Sequence, residues 1–168
     1  MTPEKEQYYE NATRKLLKTI DSMGLDKIER LRAKNLTLLF RDSFKLPDVK
    51  YKTFWRELGD NMNHFTYDSD GFCRVSSITF LNTIKNPKDW KLMYIGYLWS
   101  YGPHHYLMHI PSNQILDLTY DQYTHNGIEI PYDIGIETSY KLVNKDNTFD
   151  FAKSVGIDLT NLLKKQKD

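Results

Sequence analysis

A single cysteine stands in the 168 residues of this chain, and that scarcity removes any internal disulfide. A chain without one suits a reducing compartment, so a cytoplasmic protein is the expectation. Long apolar runs are missing too. No segment approaches the ~20 apolar residues that cross a bilayer. The opening "MTPEKEQYYENATRK" is polar and mixed in charge, unlike a signal peptide, and no membrane partner is expected. Neither sign of charge prevails. Lys plus Arg number 23 against 22 Asp plus Glu, a formal net charge of +1, and no long segment is dominated by basic residues. There is thus no electrostatic case for nucleic acid. Repeats and low-complexity tracts are absent. The apolar share of 40% is ordinary for a globular protein, and the length suits one domain spanning 1–168. The closing "KKQKD" reads as a solvated tail.

What is present is helical at first. Thr2 can cap a helix that Pro3 begins, with Tyr8, Ala12, Leu16 and Ile20 on one face and Gly24 as its stop. A second helix starts at Asp26, with Glu29 completing a capping box. It carries Ile28, Leu31, Leu38, Leu39 and Phe40 as its apolar side and ends before Pro47. A short third helix is expected over Thr53–Leu58, ahead of Gly59. "HFTYDSDG" breaks the pattern. Residues 73–84 then read as a helix with Val75, Ile78, Leu81 and either Ile84 or Phe80 turned inward. After "NPKDW" the texture changes: 91–99, 104–110 and 114–120 are rich in aromatic and branched residues and read as strands. Another strand is expected within 136–144, and a last helix at 158–165 capped by Asp158. Helices first and an antiparallel sheet afterwards make an α+β fold rather than a parallel α/β sheet. Its parts are a helical N-terminal region, 1–60, and a core at 70–145.

The chemistry gathers around Cys73, at the point where the polar turn "DSDG" runs into the fourth helix. A thiol there sits on the positive end of a helix dipole, which favours the thiolate. The free amides of the first turn lie beside it, with the Cys73 N–H among them, and can hold an oxyanion. Gly71 would let a substrate backbone approach. Downstream, "HHYLMH" holds His104, His105 and His109. On a strand, His105 and His109 share a face but lie ~13 Å apart, and His104 points the other way, so the cluster makes no metal motif. A zinc site from Cys73, His105 and Asp117 lacks a close pair of ligands, and neither metal nor cofactor is expected. Asp117 lies between Leu116 and Leu118, facing away from both, and needs a partner where it is buried. His105 and Asp117 share a face only if the loop around "IPSNQ" holds an odd number of residues or a bulge intervenes; a two- or four-residue loop separates them. A second oxyanion donor is sought among Asn61, Asn63 and Gln122. Trp90, Trp99 and the many tyrosines read as core and rim packing.

A cysteine opening a helix, then a histidine and an acid on later strands, is the order of parts in papain-like and transglutaminase-like enzymes. More narrowly, "GFCRVSSITFL" followed by "HHYLMHIPSNQILDLTYDQY" resembles the YunG-like family of small bacterial and phage-borne proteins, over about residues 70–125. His105-Tyr106-Leu107 matches that family's His-Tyr-Trp, with Leu107 in place of Trp. Asp117-Leu118-Thr119-Tyr120-Asp121-Gln122-Tyr123 matches its Asp-Leu-Thr-x-Asp-Gln-aromatic run. This alignment selects His105 over His104 and makes Gln122 the favoured amide. The resemblance implies a papain-like or transglutaminase-like fold and a cysteine-nucleophile acyl-transfer enzyme. In it Cys73 attacks an amide or ester of a peptide or protein substrate, His105 serves as base and then acid, and Asp117 orients the ring. Hydrolysis, deamidation and transamidation share these parts. The alternative is a non-catalytic interaction module on the same fold, with its partner surface on the N-terminal helices.

Overall fold

The computed structural model describes residues 2–59, 65–98, 102–140 and 146–160. Its elements are α1 (Pro3–Ser22), α2 (Lys27–Phe44), α3 (Pro47–Leu58), α4 (Cys73–Leu81), β1 (Trp90–Ile95), β2 (His104–His109), β3 (Gln114–Leu116), α5 (Asp121–Thr124), β4 (Ile136–Glu137) and α6 (Asn147–Ser154). The sheet order is β3-β2-β1-β4, antiparallel at each pairing. The chain is therefore α+β, with N-terminal helices followed by a four-stranded antiparallel sheet. Among the described residues no helix is long and apolar enough to cross a membrane.

Caps set the helix starts. The Thr2 hydroxyl accepts from the Lys5 N–H, and Asp26 accepts from Ile28 and Glu29. The capping box of α2 is only half made: the Glu29 carboxylate is buried and accepts from the Asn86 amide instead. α3 starts at Pro47 rather than Thr53, because proline suits a first helical turn as well as it ends the helix before it. α6, over residues where the sequence pattern raised no expectation, is capped by Asp146 onto the Thr148 N–H. The second half of the strand expected within 136–144, and most of the helix expected at 158–165, lie outside the described residues.

The inward faces differ from the expected ones in two helices. On α1 it is Tyr9, not Tyr8, that joins Ala12, Leu16 and Ile20 in burial. On α2 the core stripe is Ala33, Leu36, Phe40 and Phe44, flanked by buried Glu29, Thr37 and Arg41. Ile28 and Leu31 are 64% and 60% exposed, and Leu38 and Leu39 are also exposed. Glu29 and Arg41, which have polar partners inside, displaced apolar residues from the inward face, which a count of apolar positions cannot register.

Two clusters cover the two faces of the sheet. On one, Leu92, Leu107 and Leu116 meet Leu16 and Ile20 of α1, Phe40 and Phe44 of α2, Phe54 of α3, Val75 and Ile78 of α4, and Phe151 of α6. On the other, Met93, Ile95 and Tyr106 meet Tyr123 and Ile130 from the segment after β3. α4 packs on β2 and β1, which brings its N-terminus to the start of β2. Trp90 is core: it lies edge-on to Phe80, ring centres 5.1 Å apart. Trp99 lies outside the described residues.

Candidate active site

Cys73 is the first residue of α4, and Phe72 before it provides no side-chain cap, so the first-turn amides stay uncapped beside the sulfur. The turn that delivers it is fixed by Asp70, whose carboxylate accepts the N–H groups of Thr66 and Tyr67 at 2.9 and 2.8 Å. Gly71 closes this turn at φ 81, and a Cβ there would lie 2.5 Å from the Phe65 ring. Gly71 therefore serves a left-handed turn under Phe65, not the approach of a substrate backbone.

Asp117 meets His104, not His105. His104 Nε2 lies 2.6 Å from Asp117 Oδ2, both residues buried. The register explains this. His109 pairs with Gln114 and Leu107 with Leu116, so the loop between the strands holds the four residues 110–113. An even loop puts Asp117 on the face of Tyr106 and, two residues back, of His104. Asn113 makes the tight return, at φ 53. His105 is on the other face, its ring 5.0 Å from that of Tyr94. The sequence-based assignment of His105 to Asp117 is corrected accordingly. The motif alignment had favoured His105, and the pairing that it implied with Asp117 belongs to His104.

Both imidazoles nevertheless bear on the sulfur. Nδ1 of His104 and Nδ1 of His105 are buried without a hydrogen-bond partner, and both rings act on the ionisation of the Cys73 thiol. Burial alone pushes the Cys73 thiol up. Hydrogen bonds from the His104 and His105 rings, the charge on His104 and the backbone N–H of His105 outweigh it and bring the pKa down to about 6. Burial likewise disfavours a charged His104. The Asp117 carboxylate, by charge and hydrogen bond, and the Cys73 sulfur beyond it outweigh that, raising its pKa to about 10. Between these values a thiolate and an imidazolium face each other, each charge compensating the burial of the other.

Asp117 is itself held from three sides. Oδ2 also accepts the Tyr132 hydroxyl at 2.8 Å, and Oδ1 accepts the Thr119 N–H at 3.1 Å. Tyr132 went unnoticed in the sequence, and nothing local marks it: it arrives from the segment that covers the second face of the sheet. Gln122 bridges the two halves of the site. Its Oε1 accepts the Gly71 N–H at 3.3 Å and its Nε2 donates to Thr119 Oγ1 at 2.9 Å. One Nε2 hydrogen remains beyond that bond. Asn63 and Asn61, the other candidate donors, lie outside the described residues. His109 is far along β2, its Nδ1 paired with the Ser112 hydroxyl at 2.8 Å. No three His, Cys, Asp or Glu side chains among the described residues are grouped as metal ligands.

Comparison of the chain with protein-family models, with curated proteins and with solved structures finds no match. The reading of the site rests on its own geometry.

Proposed function

We propose that the protein is a cysteine-nucleophile acyl-transfer enzyme whose working set is Cys73, His104 and Asp117. One observation carries the reading: a single imidazole is held by a buried carboxylate at 2.6 Å on one nitrogen, and faces a thiol of lowered pKa with the rest of its ring. Buried structural cysteines have raised pKa values and no base beside them. In the reaction, the Cys73 thiolate adds to an amide or ester carbonyl, and the α4 first-turn amides receive the oxyanion. The His104 imidazolium protonates the departing amine or alkoxide, leaving a thioester. Neutral His104 then takes a proton from water or from an acceptor amine as it attacks the thioester; the C–S bond breaks and the Cys73 thiolate is restored beside the His104 imidazolium. Asp117 fixes the His104 tautomer throughout. The substrate class is a peptide or protein amide. The resemblance to the YunG-like family supports the Cys73 and Asp117 roles, though its histidine is His105; a papain-like or transglutaminase-like reading of helices followed by an antiparallel sheet fits the same chemistry.

The test is labelling by a thiol electrophile. Wild type should react from neutral pH down to pH 5.5, Cys73→Ala should not, and at pH 5.5 His104→Ala should be slowed far more than His105→Ala. Equal labelling of wild type and Cys73→Ala would overturn the proposal. The interaction-module reading has one observation in its favour, the exposed Ile28, Leu31, Leu38 and Leu39 on α2. It requires partner capture that survives Cys73→Ala and fails with Leu31→Asp.

A further inference from the structure

The tetrahedral carbon formed on the Cys73 sulfur carries three more groups. Its oxyanion goes to the first-turn amides of α4 and its leaving group to His104. The acyl side chain takes the direction that remains. His104 and His105 point to opposite faces of β2, so a leaving group held by His104 sends the acyl side chain over the His105 face.

A row of side chains lies on that face. Tyr94 of β1 is the register partner of His105 and also of Ile136 of β4. Opposed residues of antiparallel strands share a face, so the three stand side by side, on the face of Leu92 and Leu107 that α4 packs against. They span two strand spacings, ~10 Å. The rings of His105 and Tyr94 are 5.0 Å apart and tilted by 51°. The Tyr94 ring leans over Gly96, where a Cβ would lie 3.3 Å from Tyr94 Cε1. Gly96 is exposed and has no positive φ, so the ring above it, not its backbone, is what a side chain there would disturb. Exposure rises along the row: Cys73 is 8% exposed, His105 and Tyr94 are half-buried, and Ile136 is 62% exposed. An apolar track thus leads from the thiol to solvent. Apart from the imidazole it carries no titrating or charged group but the Tyr94 phenol, so a charged side chain laid on it would lose water without gaining a counter-charge.

We propose that His105, Tyr94 and Ile136 form the acyl-side specificity site, selecting a substrate with a large apolar residue, of phenylalanine type, at the carbonyl that Cys73 attacks. This rests on the catalytic reading and names its substrate class. The substrate ring lies offset or edge-on against the Tyr94 ring, as aromatic pairs do, and its far edge meets Ile136. A glycyl group ends short of both.

The experiment compares the p-nitrophenyl esters of N-acetyl-Phe, N-acetyl-Gly and N-acetyl-Lys on the full chain. In each, the Cys73 sulfur bonds to the acyl carbon and p-nitrophenolate leaves; water then releases the N-acetyl amino acid and restores the thiolate. Rates are taken above those of Cys73→Ala and divided by the rate of the same ester with N-acetylcysteine, which removes the esters' own reactivity. The Phe ester should exceed the Gly ester in kcat/KM by about tenfold or more, and the Lys ester should stay near the Gly ester. Tyr94→Ala should cut the Phe/Gly ratio about fivefold, and Ile136→Ser about threefold. Ile136→Glu should cut it too, and should raise the Lys/Gly ratio about threefold, the size of one exposed ion pair. Ratios are decisive because a fault in folding or in the thiol lowers every ester alike. Cys73-dependent turnover with equal rates for Phe and Gly would overturn the proposal and leave the catalytic reading standing. So would a Phe/Gly ratio that neither Ile136 variant moves. Release that Cys73→Ala matches for all three esters would overturn both.

Discussion

The pH dependence of Cys73 alkylation distinguishes an activated thiol from a buried one, and its magnitude follows from two opposing effects. Lowering a thiol from its ordinary 9.0 to about 6 raises the thiolate fraction at pH 7 about 90-fold. The same shift makes each thiolate a weaker nucleophile, by about 20-fold for three units at a Brønsted slope of 0.4–0.5. At pH 7 the net advantage is thus only about fourfold, small enough to be lost in differences of access. At pH 5.5 the thiolate ratio becomes about 750-fold and the net advantage about 40-fold, with the same slope. The decisive comparison belongs at the acidic end.

Iodoacetamide is small enough for a thiol in a residue that is 8% exposed. Its second-order rate against pH should rise with a midpoint near 6 in wild type. His104→Ala removes the largest of the lowering contributions, so the midpoint should move up and the rate loss at pH 5.5 should exceed the loss at pH 7 several-fold. His105→Ala should move the midpoint less, because the His104–Asp117 pair and the 105 backbone N–H remain. A wild-type midpoint at 8.5–9 would refute the reasoning. So would a loss in His104→Ala that is the same at both pH values, which would report access rather than ionisation.

Four further outcomes are expected. His104 has a folded pKa above its unfolded value, so its stabilisation is complete below about 6.5 and fades as pH rises through about 10; the Tm gap between wild type and His104→Gln should close across that rise. Tyr132→Phe removes one of the donors to Asp117 and should cost about 1.5–3 kcal/mol, read as a lower midpoint in urea and a slower alkylation at pH 5.5. Gly135→Ala should destabilise by about 1–3 kcal/mol, because its Cβ would fall on the Tyr106 hydroxyl and 2.9 Å from the ring carbon that bears it; adding Tyr106→Phe should recover only part of that loss in thermal melts, since the ring carbon stays close. Arg41→Met should cost about 3–5 kcal/mol by stranding the Asp121 carboxylate, and Arg41→Met with Asp121→Leu should be more stable than the single variant.

The first two helices, α4 and the strand-rich half were readable because they depend on local signals: Thr2 and Asp26 as caps, Gly24 as a stop, aromatic and branched residues across 91–95 and 104–109. What was not readable depended on pairing at a distance. The choice between His104 and His105 turned on whether the 110–113 loop is even. One clue lay in the pattern: Asp117 faces away from Leu116 and Leu118, so if those two share the core face with Leu107, the acid must share a face with Tyr106 and His104. Taking the motif alignment as the arbiter overrode that parity. The α2 face failed for a different reason. Arg41 and Thr37 look like solvent residues, and only the position of Asp121, far along the chain, turns Arg41 inward.

That inward arginine also decides what the N-terminal helices are for. Arg41 and Asp121 have fully buried side chains and meet in a two-pronged pair at 2.7 and 2.9 Å. The guanidinium also donates to the Leu118 carbonyl, to Thr13 Oγ1 and to the Tyr9 carbonyl, and it stacks 3.6 Å from the centre of the Tyr9 ring. Ser69, in the turn before Cys73, donates to the same Asp121 at 3.1 Å. One cation from α2 thus ties α1, the turn that presents the thiol, and the Asp117–Gln122 segment that holds the acid. A lid would meet the site through exposed contacts that open and close; a buried, bidentate pair with every donor used is a costly thing to open. Helices α1 and α2 also supply Leu16, Ile20, Phe40 and Phe44 to the cluster that includes Val75 and Ile78 of α4. Removing residues 1–45 should therefore not yield a faster, uncovered enzyme. It should yield a chain without the cooperative melt of the whole, since the polar segment that orients His104 would lose its anchor and the main core cluster the side chains of α1 and α2.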